Sequence, residues 1–527
     1  MEKMAYFLSF KTSGKAWLRE HLPIISILVI GLFLRTYKIR DYVLFLGDEG
    51  RDALAVYNIL HGDLTLLGPT SSVGGFFLGP IYYYLMAPFL WLSNYDPAGP
   101  SVMVALFGVV TIYLVYKLGS EFFGMKTALI SSFLYTISPI VIIYSRSSWN
   151  PNVFPFFTIA SLYALYKAVS KNKVSLFVLS GFLMGINLQI HYLATFVGVV
   201  MFFYVLLVQF DRNLKWFAKT LKNYAYLFIG FIIGFSPFIL FEIRHGFLNT
   251  QNIIKFIFTS EETGGGLAGK NILFVFERLF GGLIVHLPRP ENSGMFDRNI
   301  VQLWIDAGLF LGLFATGFFL VRFFRNKNNE IEFKKYLLLL LWAVFGIGLF
   351  GLYKKPIYDY YLGFLFPLPF LLVGLFFSDI TEKFKIYGRS VVGILMILLI
   401  LINFKFSPIV MPRNNQIDQV KGIALFVLEK TEGRPFNFAI AGTGNSDHAY
   451  RYFFKLAGQE PVIIKGILED PERESVTDQL LVICETFPCS PLGESSNDIA
   501  GFGRGEIVDE WDVSVIKVYK LRHYTGN

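Results

Sequence analysis

The stretch Phe45–Asp63, FLGDEGRDALAVYNILHGD, decides how this chain is read. It begins about ten residues after an apolar run, residues 22–37, that is long enough to cross a bilayer, and it places four acids and an arginine there. Comparable apolar windows recur between His21 and Phe406. The 527 residues are 54% hydrophobic, 17% aromatic and only 16% charged, a polytopic membrane composition rather than a soluble one. The net charge of +8 does not mark a nucleic-acid binder, because the basic residues sit mostly between the apolar runs, where they act as topogenic signals.

Eleven spans are expected, at residues 22–37, 100–118, 124–143, 152–170, 174–190, 191–210, 223–243, 303–323, 335–352, 359–378 and 388–406. With the N-terminus cytoplasmic, the basic clusters VSKNK, DRNLKWFAKTLKN, RFFRNKNNEIEFKK and TEKFKIYGR all fall inside, as the positive-inside rule requires. The segment Gly79–Ser93 is short and holds Pro88, so it reads as a juxtamembrane helix in the outer interface. The expected organisation is a transmembrane domain over residues 1–410, with a first external loop at 38–99 and a long external loop at 244–302. Residues 411–527, where charges and turn residues return and FNFAIAG and LLVICE have strand character, read as a small extracytoplasmic soluble α/β domain. Its cysteines, Cys484 and Cys489, are compatible with one disulfide or with two free thiols.

This topology gathers nearly every unusual polar group on one face. Asp48 and Glu49 are adjacent carboxylates at the membrane surface, and the apolar spacing of DEGRDALAVYNIL suits a short helix with acids in its first turn. A capped interfacial helix with solvated charges accounts for the pattern equally well. As chemistry, a carboxylate beside a low-dielectric surface can serve as a general base, and Arg51, one turn on, can hold a phosphate. Lys354 and Lys355 offer further phosphate contacts from another outer loop. Two lesser segments, EETGGGLAGKN (Glu261–Asn271) and GTGNSD (Gly442–Asp447), read as a flexible loop and a strand-to-helix turn, since neither has the spacing of a phosphate-binding glycine motif.

The order DEGR, then ILHGDL, then a Gly/Pro/Tyr-rich juxtamembrane helix resembles the first external loop of the polyprenyl-phosphate-dependent glycosyltransferases of the C superfamily, families 39 and 83, which include protein O-mannosyltransferases and aminoarabinose transferases. SPIVIIYSRSSWNPN is similar to the second external loop of that family, and KKPIYDYYLGFLFPLPFLL to its Lys-x-x-x-Tyr stretch. Two departures stand out: Asn150 takes the place of an Asp before Pro151, and NLQIHYL, with His191, the place of a Thr-Lys pair. The resemblance implies an inverting transfer with Asp48 as base and Glu49 orienting acceptor or sugar. Arg51, Lys354, Lys355 and His191 would bind the donor phosphate, and Arg146, Asn150, Gln189, Tyr192, Arg244, Tyr358 and Tyr361 would contact substrate. No cofactor is required; a divalent metal is compatible but unsupported, and no residue is assigned to one.

The expected partners are a polyprenyl-phosphate-linked sugar, a glycolipid, polymer or protein acceptor, and the bilayer of a plasma (inner) membrane, with no nucleic acid. The alternatives are a lipid or sugar transporter, which would bury paired charges in mid-span, and a non-catalytic scaffold, in which the motif charges could be neutralised without effect.

Overall fold

The computed structural model describes residues 20–526, apart from 72–74, 212–214, 260–267, 286–297, 442–445 and 495. The greater part of the segments Glu261–Asn271 and Gly442–Asp447 therefore lies outside the described residues. The chain forms two compact units, one of residues up to Tyr37, Thr65–Leu85 and Ser101–Pro412, the other of Lys38–Leu64, Met86–Pro100 and the residues from Arg413 on.

The first unit is a helical bundle. Among the described residues, six helices are long and apolar enough to cross a membrane: Ala98–Phe123, Asn150–Lys171, Lys215–Arg244, Gln302–Asn326, Glu330–Leu352 and Lys385–Lys405. A seventh crossing is a pair, Asp359–Leu365 and Pro367–Lys383, bent by 57° where Pro367 opens the second helix. The shorter apolar helices Ile81–Leu92, Val174–Ile190 and Ala194–Gln209 accompany them. Each expected span coincides with a helix or a broken helix pair, the first of them at residues 20–36. Helical spans are forced by the solvent, because hydrocarbon offers no partner to an open backbone N–H or C=O.

Small residues set the closest crossing. Gly181 and Gly185 of Val174–Ile190 face the backbone of Lys215–Arg244, and Gly230 and Gly234 face back, so that a Cβ at any of the four would collide with a main-chain atom of the other helix. Residues within 244–302 also enter the bundle. Helix Ala268–Glu277 continues as a π-helical turn, Arg278–Val285, whose Leu279, Phe280, Leu283 and Ile284 are buried.

The second unit is built on a four-stranded sheet with strands β1 (Asn437–Ala441), β2 (Gln479–Cys484), β3 (Gly505–Val513) and β4 (Ile516–His523), in the order β1-β2-β4-β3. β1 and β2 run parallel, and β4 is antiparallel to both β2 and β3. The parallel pair needs a crossover, which the helix His448–Leu456 provides. One sheet face packs Leu480, Val482, Tyr519 and Leu521 with Ile499 and Phe502. On the other, Phe438 meets Tyr450 and Phe454 of the crossover helix. Cys484 and Cys489 form a disulfide.

Residues 38–64 and 86–100, assigned by sequence to the membrane domain's first external loop, pack within this unit. Arg40 bridges Asp96 at 2.8 Å and Asp418 at 2.7 Å, the Phe45 N–H donates to Gln416 at 3.0 Å, and the Tyr452 hydroxyl donates to the Tyr95 carbonyl at 2.6 Å. The Phe45 ring lies 5.6 Å from both Tyr452 and Phe453, edge-on to each.

Candidate active site

The DEGR motif opens a helix, Gly47–Leu60, whose buried stripe is Gly50, Ala53 and Val56. Recurrence every third residue gives one face to the core, and that face rests on the crossover helix His448–Leu456. Gly50 is the point of closest approach. A Cβ there would stand 2.6 Å from the His448 carbonyl carbon and 2.5 Å from Ala449 Cα, so the motif's glycine is a steric requirement of this docking.

The motif's charges have separate tasks. Glu49, and not Asp48, serves the helix start: its Oε2 accepts the Leu46 N–H at 3.1 Å. Arg51 joins two carboxylates, donating from Nη1 to Asp48 at 2.8 Å and from Nε and Nη2 to Asp52 at 3.0 and 2.8 Å. Asp52 is fully buried, whereas the Asp48 side chain is 53% exposed and stands ready for a partner from solution. Asp52 is the partner that the sequence reading missed; its only signal was its place four residues after Asp48 on the same helix.

Burial pushes Glu49 up to about 7; the neighbouring Asp52 and Asp48 add to the rise, and the backbone N–H bonds of Glu49 and Leu46 oppose it. A carboxyl raised in the fold binds more protons than in the unfolded chain between its ordinary value and about 7, so stability falls as pH rises through that window and levels off above it. Glu49→Gln, which mimics the protonated form and keeps an acceptor for Leu46, is therefore expected to match the wild-type unfolding midpoint near pH 4.5 and to exceed it increasingly up to pH 7. Thermal melts of the two proteins across that range check this, and a constant difference would contradict it.

The crossover helix brings its own polar start to this region. Asp447 pairs with Arg451, and Ser446 Oγ lies 2.8 Å from His448 Nδ1. Burial, aided by Arg51 and Arg451 and opposed by Asp447 and Asp48, pulls His448 below the usual histidine value. These residues lie some 400 positions from the motif in sequence, which is why spacing gave no sign of them.

The first unit gathers a different set. His191 sits at the break between Val174–Ile190 and Ala194–Gln209, stacked 5.4 Å from Phe154 and 4.7 Å from Tyr192. The Tyr192 and Tyr353 hydroxyls are 3.0 Å apart, and Tyr361 closes the cluster at 5.5 Å from His191. His191 Nδ1 accepts from the Leu193 N–H at 3.2 Å, which leaves Nε2 to carry the proton of the neutral ring. Lys354, Lys355 and Tyr358 are exposed on the adjoining segment, and Arg244 is exposed at the end of its helix. Asp359, in the same stretch, accepts from Arg278 Nε at 2.9 Å and Nη2 at 2.7 Å, a buried fork 81 residues apart that the sequence did not reveal.

Three expected substrate contacts have other work. Arg146 is buried and donates to the Leu34 and Tyr37 carbonyls, each at 2.7 Å. Asn150 donates to the Ile190 carbonyl at 2.7 Å, and Gln189 to Gly234 at 2.6 Å while accepting from the Ile81 N–H at 3.3 Å. Buried side chains whose polar atoms serve main-chain groups anchor the helix ends they reach. Among the described residues, no three His, Cys, Asp or Glu side chains gather in a way that could hold a metal ion.

The family described as dolichyl-phosphate-mannose-protein mannosyltransferase matches residues 78–241. No curated protein matches the chain. Among solved structures, ArnT from Cupriavidus metallidurans with bound undecaprenyl phosphate is similar at a TM-score of 0.62 and 12% identity, covering 96% of this chain and 98% of its own. The apo form of the same protein matches at a TM-score of 0.60. The oligosaccharyltransferase AglB from Archaeoglobus fulgidus, in complex with an inhibitory peptide and a dolichol-phosphate, matches at 0.51 and 12% identity, covering 88% of this chain and 70% of its own. The architecture of this chain is thus the fold shared with ArnT and AglB.

Proposed function

We propose that the protein is an integral-membrane inverting glycosyltransferase that moves a sugar from a polyprenyl phosphate to an acceptor on the extracytoplasmic face. The observation that carries this reading is the exposed Asp48 carboxylate held by Arg51 on a helix of the ArnT fold. The family match over residues 78–241 and the polyprenyl and dolichyl phosphates bound by the two similar structures support the donor class.

In the proposed reaction, Asp48 takes the proton of an acceptor hydroxyl or amine as that group attacks the anomeric carbon from the side opposite the phosphate. The bond from the anomeric carbon to the phosphate oxygen breaks, and the polyprenyl phosphate leaves with the electron pair. Arg51 offers its charge to that phosphate. Glu49 fixes the start of the helix that presents Asp48. The second unit's disulfide suits an oxidising compartment, which supports an extracytoplasmic C-terminal region and a plasma (inner) membrane location.

The stereochemistry is directly testable. NMR of the sugar transferred from a donor of known anomeric configuration is expected to show the opposite configuration in the product. Retention would rule out a single displacement and with it the role given to Asp48.

A further inference from the structure

The second unit carries a polar cleft far from the motif helix. It has a volume of about 440 Å³ and is lined by Arg434, Pro435, Thr477, Asp478, Gln479 and Arg522. That volume lies in the range of small-ligand sites. The floor is rigid: Gln479 is only 3% exposed, and its Nε2 donates to the carbonyls of Thr431, Pro435 and Arg434 at 3.0, 3.2 and 3.4 Å. These bonds fix the amide's orientation, and its Oε1 is left without a hydrogen-bond partner among the described residues. Arg522 stands opposite Gln479 in the strand register, on the same sheet face, and makes no ion pair among the described residues. Arg434 is held by Glu432 at 2.5 Å.

The chemistry of this lining selects a class of ligand. An anion requires donors alone, whereas this lining combines the Arg434 and Arg522 guanidinium donors with the Asp478 carboxylate as an acceptor. A sugar hydroxyl both donates and accepts, so a row of hydroxyls matches such a lining. The cleft is also separate from the motif. Gln479 begins β2 and Cys484 ends it, five steps or about 17 Å away. Beyond Cys484, Glu485 accepts from Tyr450 at 2.7 Å, on the crossover helix against which Gly50 is packed.

We propose that this cleft is a saccharide-binding subsite, in which Arg522 and Asp478 hold the hydroxyls of a glycan over the floor made by Gln479, at the end of β2 remote from the motif helix. Its service in holding a glycan acceptor rests on the transferase reading; its binding of sugar does not.

Saturation-transfer NMR on the purified full-length protein tests it, with lactose, glucuronate and inorganic phosphate as probes. Lactose binding is expected to persist in Asp48→Asn, to weaken roughly tenfold in Arg522→Ala, the loss of one hydrogen bond to a charged group, and to recover in part in Arg522→Gln. Glucuronate is expected to follow lactose. Wild-type affinity for lactose in Arg522→Ala would overturn the proposal. So would phosphate displacing lactose in wild type with Arg522→Gln as inactive as Arg522→Ala, which would mark a bare anion site. Melting curves of the exposed-position variants report folding separately. Wild-type transfer in Asp48→Asn would defeat the proposed mechanism and leave the cleft to be judged by the Arg522 variants alone.

Discussion

Asp48→Asn is expected to lower the transfer rate by about 100-fold to 10,000-fold while the unfolding midpoint stays near that of the wild type. The substitution removes the proton acceptor and little else. The side chain is 53% exposed, and asparagine keeps an oxygen for the Arg51 Nη1 that Asp48 now accepts at 2.8 Å. An exposed ion pair of this kind contributes at most about 1 kcal/mol, so a large loss of rate cannot come from a loss of fold. Steady-state kinetics and a thermal melt on the same preparation separate the two. A rate within a few-fold of wild type would remove Asp48 as the base.

Gly50→Ala is expected to lower the unfolding midpoint, although local propensity argues the reverse. Alanine in a helix interior is favoured over glycine by about 1 kcal/mol, and if Gly50 faced water the variant would be the more stable protein. Its new methyl would instead stand 2.5 Å from Ala449 Cα and 2.6 Å from the His448 carbonyl carbon. Both are backbone atoms, which cannot move aside as a flexible side chain can. Overpacking typically costs about 1–3 kcal/mol, and a collision with main chain belongs at or above the upper end. The sign of the change is therefore decisive: destabilisation with loss of activity supports the docking of the motif on the crossover helix, and stabilisation would show that this contact does not form. Ala449→Gly is no rescue, because two of the colliding atoms are main chain at that residue.

What the sequence made legible follows the reach of each signal. Apolar run length located the spans because a bilayer imposes that length locally, and the break at His191 showed as a polar interruption. The short helix Ile81–Leu92 was visible through its length and Pro88, and β1 and β2 through apolar runs bounded by turn residues. β3 has no buried residue and runs as GEIVDEWDV, so periodicity alone did not mark it as a strand. The acidic motif was legible as residue types, but the division of labour within it was not. Glu49 as the helix-start acceptor is a contact with Leu46 three residues back, whereas Asp52 as the buried partner and Gly50 as a packing point depend on what covers the helix, and the residues against Gly50 come from some 400 positions away. Shorter separations, 81 residues for the Arg278–Asp359 fork and 112, 40 and 45 for the main-chain partners of Arg146, Asn150 and Gln189, still lie beyond the reach of local spacing and hid those contacts.

The most direct test of the account is to reconstitute the purified protein in vesicles carrying a radiolabelled polyprenyl-phosphate hexose and to follow, in parallel, the chemical fate of the sugar and its position across the bilayer. Label leaving the lipid in the wild type but not in Asp48→Asn, with free polyprenyl phosphate appearing in equal amount, is the predicted result. Label that crosses the bilayer still attached to its lipid, equally in both proteins, would contradict the account and identify a transporter.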